Sequence, residues 1–165
     1  MKDVGADDRT WTKEVVALPA DEQHMKRCID LAREAKKEGD FPFGSLIADS
    51  AGNMVAEGRN REVTENDVTW HAEMEAVRNA TRKLQCRSLE GMTLYASGEP
   101  CLMCAVAIRR AGISRVVVAA PTANPIPVEP HPFTAEAFGD TPIPRVTFGV
   151  LEREALEVQD REPSP

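Results

Sequence analysis

Residues 92–120 read MTLYASGEPCLMCAVAIRRAGISRVVVAA, and this stretch decides the fold. Residues 92–96 are a short apolar run of strand length. Ser97-Gly98-Glu99 reads as a turn, and Pro100 suits the first position of a helix, where its missing N–H is not needed. That helix is expected to reach Ala111 and stop at Gly112. Residues 114–120 are a continuous apolar run, the pattern of a buried strand. A strand, a helix and a second strand in succession imply that the two strands pair in parallel.

Upstream, Met25, Cys28, Ile29 and Ala32 make one apolar helical stripe starting near Asp21, with Gly39 as its stop. Two short runs, 45–49 and 54–58, flank Ala51-Gly52-Asn53 and read as a β-hairpin. Residues 59–69 are polar and read as a loop. A second helix is expected from His71 to Lys83, with Met74, Val77, Ala80 and Leu84 on one side. Downstream, residues 121–132 hold five prolines, at 121, 125, 127, 130 and 132, and read as a stiff loop. A short helical piece is expected at 134–138 and a last strand at 145–150. The expected organisation is an N-terminal extension at 1–20, with Trp11 tacking it down, one domain at 21–151, and a charged tail at 152–165 with a helical turn or two. Strands alternating with helices make this an α/β chain, built as a three-layer α/β/α domain.

The 165 residues suffice for one domain with a core that needs no disulfide staples. Charged residues make up 28%, and no apolar run is long enough to cross a bilayer. No basic start, apolar stretch and small-residue cleavage site occur together, so no signal peptide is expected and the cytoplasm is favoured. The net charge of -7, with basic residues interspersed among acids, argues against a large nucleic-acid partner. Four cysteines in such a chain point away from disulfides and, for the pair Cys101 and Cys104, towards metal or redox chemistry.

Two motifs carry chemistry: His71-Ala72-Glu73 and Pro100-Cys101-Leu102-Met103-Cys104. Each follows a loop and opens a helix, so both can face one end of the sheet, where open α/β sheets place their sites. Cys101 and Cys104 are three apart and share a helix face in its first turn. There, free N–H groups and the helix dipole favour thiolate, the form that binds zinc. His71 supplies a third, neutral ligand. Three protein ligands leave a position for water, the mark of a catalytic zinc, and zinc lowers the pKa of that water from about 15.7 towards about 7. Glu73 lies two residues on, roughly 200° round an ideal helix. At a helix start it can still reach the cavity beside the metal and move protons from water to a departing amine. The plainer readings are a redox Cys-x-x-Cys pair, a closed Cys2His2 cluster completed by His24 or His131, and Glu73 as a solvated helix acid. The redox reading leaves His71 and Glu73 without a role, and structural sites usually carry tighter ligand pairs.

The two motifs together form the pattern known from zinc deaminases. From Asp21 to Ala120 the chain resembles the cytidine deaminase-like superfamily, in particular its nucleobase branch of guanine, cytosine and tRNA adenosine deaminases. Pro42-Phe43-Gly44, Asn60, His71-Ala72-Glu73 and Ser97 through Cys104 fall in the family's order. The resemblance implies a central five-stranded mixed sheet, Zn2+ as cofactor and a homodimer. It also implies Asn60 as the amide that hydrogen-bonds the base, with Phe43 lining the pocket and the Ser97 carbonyl and Cys101 N–H as substrate contacts. Asn60 could otherwise be a turn residue, and Phe43 core. Trp70 stands where many relatives have a small residue, and would shape the pocket or cap the helix. Residues 135–140, AEAFGD, loosely resemble the element with which guanine deaminases reach the base, which suggests Phe138 and Asp140.

The expected activity is hydrolytic deamination of a free nucleobase-like small molecule, guanine first. A cytosine or nucleoside deaminase is the alternative, then a tRNA adenosine deaminase. From another class, a non-catalytic module would keep zinc as a structural staple.

Overall fold

Gly39, with φ of 92°, ends the first helix as the expected left-handed stop. A computed structural model of the chain describes residues 17–121, 141 and 143–160. In chain order the elements are α1 (Pro19–Glu38), β1 (Gly44–Ala48), β2 (Met54–Arg59), α2 (Ala72–Leu84), β3 (Thr93–Gly98), α3 (Leu102–Arg110), β4 (Arg115–Ala120), β5 (Arg145–Phe148) and α4 (Glu152–Val158). The proline-rich stretch 122–132, Trp11, and the expected helical piece at 134–138 lie outside the described residues.

The strands form one mixed sheet in the order β2-β1-β3-β4-β5. β1 pairs antiparallel with β2 and β3, while β3–β4 and β4–β5 are parallel. The turn of the β1–β2 hairpin is held by Asp49 Oδ1, which accepts the N–H groups of Ala51 and Asn53. Alternate residues of each strand enter opposite cores. Leu46, Tyr95 and Val117 meet Met25, Cys28, Ile29 and Ala32 of α1 and Ala155, Leu156 and Val158 of α4. Ile47, Leu94, Ala96, Val116 and Val118 meet Ala76 and Ala80 of α2 and Ala105 and Ile108 of α3. The result is the expected three-layer α/β/α arrangement, and no helix among the described residues is long and apolar enough to cross a membrane.

The structure corrects the sequence reading in four places. α1 starts two residues early, with Pro19 in its first turn and Asp21 accepting the Leu18 N–H at 2.7 Å. α2 buries Ala72, Ala76 and Ala80, whereas Leu84 is 40% exposed. Small residues are needed because α2 lies against β2: a Cβ on Gly58 would stand 2.4 Å from the Ala72 carbonyl. α3 starts at Leu102, so Pro100 precedes the helix and Cys101 is its N-cap. Finally, the helical turn or two expected in the charged tail is α4 at 152–158, which belongs to the domain: its three apolar residues complete the α1 face of the sheet.

Candidate active site

The N-termini of α2 and α3 converge at the ends of the strands that precede them. His71 is the N-cap of α2 with extended backbone, φ −76° and ψ 156°, and Cys101 is the N-cap of α3, φ −68° and ψ 172°. The 200° helical offset between His71 and Glu73 therefore does not apply, because His71 is not yet in the helix. His71 Nδ1 lies 3.5 Å from Cys101 Sγ and 3.6 Å from Cys104 Sγ, and Glu73 Oε2 is 3.5 Å from Cys104 Sγ.

These distances suit zinc. Bonds of about 2.3 Å to sulfur and about 2.0–2.1 Å to nitrogen, meeting at a tetrahedral angle, span ~3.6 Å between ligand atoms. His71, Cys101 and Cys104 are the only group among the described residues placed to hold a metal in this way. His24 is elsewhere, its ring against Tyr95 and its Nε2 at the Gly52 carbonyl. His131 lies outside the described residues.

Electrostatics point the same way. Cys101 is pushed down to about 4, first by the hydrogen bond from Cys104 and, against burial, by His71. Cys104 is held well above the ordinary thiol value by the neighbouring Cys101 and by burial. His71 is raised, chiefly by its hydrogen bond to Cys101. Glu73, 7% exposed, is raised by burial. Two sulfurs and a carboxyl thus share one buried pocket that favours at most part of their negative charge. A divalent cation relieves that repulsion, and thiolate–imidazole donors are the set zinc prefers.

Asn60 is 2% exposed, and its backbone N–H donates to the Phe43 carbonyl at 3.0 Å. Its Oδ1 accepts the Glu62 N–H and its Nδ2 donates to Glu62 Oε2, each at 3.1 Å. Asn60 is thus also a turn residue, closing an Asx turn. Glu62 Oε2 in turn lies 3.1 Å from His71 Nε2, which brings Asn60 to the metal ligands through one carboxylate. The loop is pinned by Asp40, which accepts the N–H groups of Val63 and Thr64 and the Thr64 hydroxyl. Burial raises the Asp40 carboxyl, but these hydrogen bonds win and hold it below its ordinary value.

The other expected contacts have partners within the fold. The Phe43 ring packs on Gly98, where a Cβ would stand 2.7 Å from it, so Phe43 closes the end of β3. Trp70 donates to Glu75 Oε1 at 3.1 Å and carries Arg78 over its ring at 5.0 Å. Glu75 is about 200° round α2 from Glu73, so these contacts draw Trp70 towards the other side of the helix. Ser97 is buried; its hydroxyl accepts the Gly44 N–H and its carbonyl accepts Gln159 Nε2 at 3.1 Å. It ties β1 and α4 to the end of β3. Phe138 and Asp140 lie outside the described residues. Glu62 and Asp40 were not foreseen. The cue for Glu62 was an acid two residues after Asn60, and for Asp40 an acid directly after the helix stop.

A family profile described as the cytidine and deoxycytidylate deaminase zinc-binding region matches residues 18–120. The tRNA-specific adenosine deaminase of Haemophilus influenzae is 40% identical over 100 residues, which are 61% of this chain and 58% of that protein. The guanine deaminase of Bacillus subtilis is 43% identical over 88 residues, 53% of this chain and 56% of that protein. The chain therefore spans less than two thirds of either relative's length. A solved structure from work on A-to-I editing by tRNA:A34 deaminases superimposes with a TM-score of 0.71 at 33% identity, covering 82% of this chain and 98% of that one.

Proposed function

Because the chain belongs to the cytidine and deoxycytidylate deaminase zinc-binding family, we propose that it is a zinc-dependent hydrolase that deaminates an amino-substituted nucleobase, with guanine as first substrate. The observation that carries this reading is the buried Glu73 carboxyl set beside the His71, Cys101 and Cys104 trio without being needed as a ligand. Zinc held by His71, Cys101 and Cys104 would supply an acidified water. Glu73 would take a proton from the attacking water and deliver it to a ring nitrogen, then pass the second proton of that water to the departing amine. The water oxygen bonds to the amine-bearing carbon, the C–N bond breaks, and ammonia and a ring carbonyl result. Burial suits Glu73 to this work, since a carboxyl raised towards neutrality both accepts and gives a proton. The Asn60 amide offers a donor and an acceptor to the base edge.

The net charge of -7 supports a free base over a polyanion. The second reading is an adenine exposed in a tRNA loop, supported by the likeness to tRNA-acting deaminases. The working form in either reading is a cytoplasmic homodimer. Ammonia release from guanine, cytosine and adenine, run beside inosine formation in tRNA, separates the two. Release from guanine without inosine in tRNA is the expected result. Inosine in tRNA with no release from any free base would replace it with the second reading.

A further inference from the structure

We infer that Glu62 is a positioning residue that couples the metal ligand His71 to the base-contact residue Asn60. The inference rests on the site reading above. A single oxygen, Glu62 Oε2, faces both His71 Nε2 and Asn60 Nδ2 at 3.1 Å. A neutral imidazole carries one N–H and one lone pair. With its proton on Nε2 towards the carboxylate, His71 keeps the Nδ1 lone pair, and Nδ1 is the atom that faces both sulfurs. Carboxylates placed behind a ligating histidine fix its tautomer and ring orientation.

The same residue removes the ambiguity of the Asn60 amide. The Glu62 N–H can be accepted only by Oδ1, and the carboxylate can accept only from Nδ2. Asn60 is left with one N–H and one lone pair in a set orientation, the pair a base edge requires. The Glu62 side chain is only 22% exposed, and Asp40 fixes the two residues that follow it. A solvated loop acid would have no reason to make these contacts together.

The test uses the zinc-loaded full chain with Glu62→Ala and Glu62→Gln. Zinc Kd is measured by competition with a chromophoric chelator, and the His71 ring is followed by nitrogen-15 NMR. Glu62→Ala is expected to weaken zinc binding about 10–100-fold, to speed exchange of the His71 Nε2 proton, and to raise KM. Glu62→Gln, which keeps an acceptor oxygen without the charge, restores part of all three. If Glu62→Ala fails to fold, Glu62→Leu keeps the volume without the acceptor and carries the same expectation. Zinc Kd within twofold of the parent, with an unchanged His71 Nε2 proton, overturns the inference. Weaker zinc binding in a chain that deaminates no base would leave the His71 assignment standing and remove the proposed function instead.

Discussion

Glu73 sits at the start of α2, 7% exposed and 3.5 Å from Cys104 Sγ. It cannot be a surface acid, and three better zinc donors lie beside it. Replacing it tests its role apart from the metal. Glu73→Gln is expected to lower kcat by about 10²–10⁴-fold, the usual worth of a positioned proton carrier, with zinc content unchanged by elemental analysis. Loss of zinc together with activity would make Glu73 a ligand instead. The four residues of this cluster were legible in the chain because each sits within a short motif at a helix start. Glu62 was not, because it lies in an irregular loop with no period to show that it meets Asn60 and His71. The partners of Ser97 and Trp70 within the fold, Gly44 and Gln159 for one and Glu75 and Arg78 for the other, were not legible either, because folding and not adjacency to a motif sets them.

Among the elements, Asp21 joins α1 to β3 and β4. Its carboxylate takes both arms of Arg115, at 2.7 and 2.8 Å, and the Tyr95 hydroxyl at 3.0 Å. Burial raises its pKa, but Arg115, the Leu18 N–H and Tyr95 outweigh it, so Asp21 stays below its usual 3.8. A carboxyl lowered by folding stabilises the fold above its unfolded pKa, and that contribution is lost as pH falls through the lower folded value. Asp21→Asn is therefore expected to cost about 3–5 kcal/mol at pH 7, as breaking a buried pair does. It should also flatten the fall in stability below pH ~4. Denaturant melts at several pH values check both; equal acid slopes in parent and variant would contradict the assignment. The βαβ run from β3 to β4 could be read directly, since a continuous apolar strand after a helix leaves few alternatives. The buried face of α2 could be read only in part: Ala80 stands in the expected stripe, but Ala72 and Ala76 are inconspicuous beside Met74 and Leu84. Their value comes from the close approach to Gly58.

At the scale of the whole molecule, the sheet brings together two helix starts from separate parts of the chain, with β3 and α3 between β1 and β4 supplying the second. The parallel pairing of β3, β4 and β5 followed from the order of elements. The place of β1 between β2 and β3 did not, because a hairpin alone does not choose its neighbour. The packing of α4 escaped notice for a similar reason: seven residues with three apolar positions suggest a helical turn or two, but not that α1 and β4 provide the surface they cover. The account as a whole turns on an open zinc site, and zinc-edge X-ray absorption on the loaded full chain tests it most directly. It predicts two sulfurs at about 2.3 Å, one imidazole nitrogen at about 2.0–2.1 Å and one further light atom from water. A closed shell of four protein ligands, with a second imidazole or a third sulfur, would contradict it and make the zinc a structural staple.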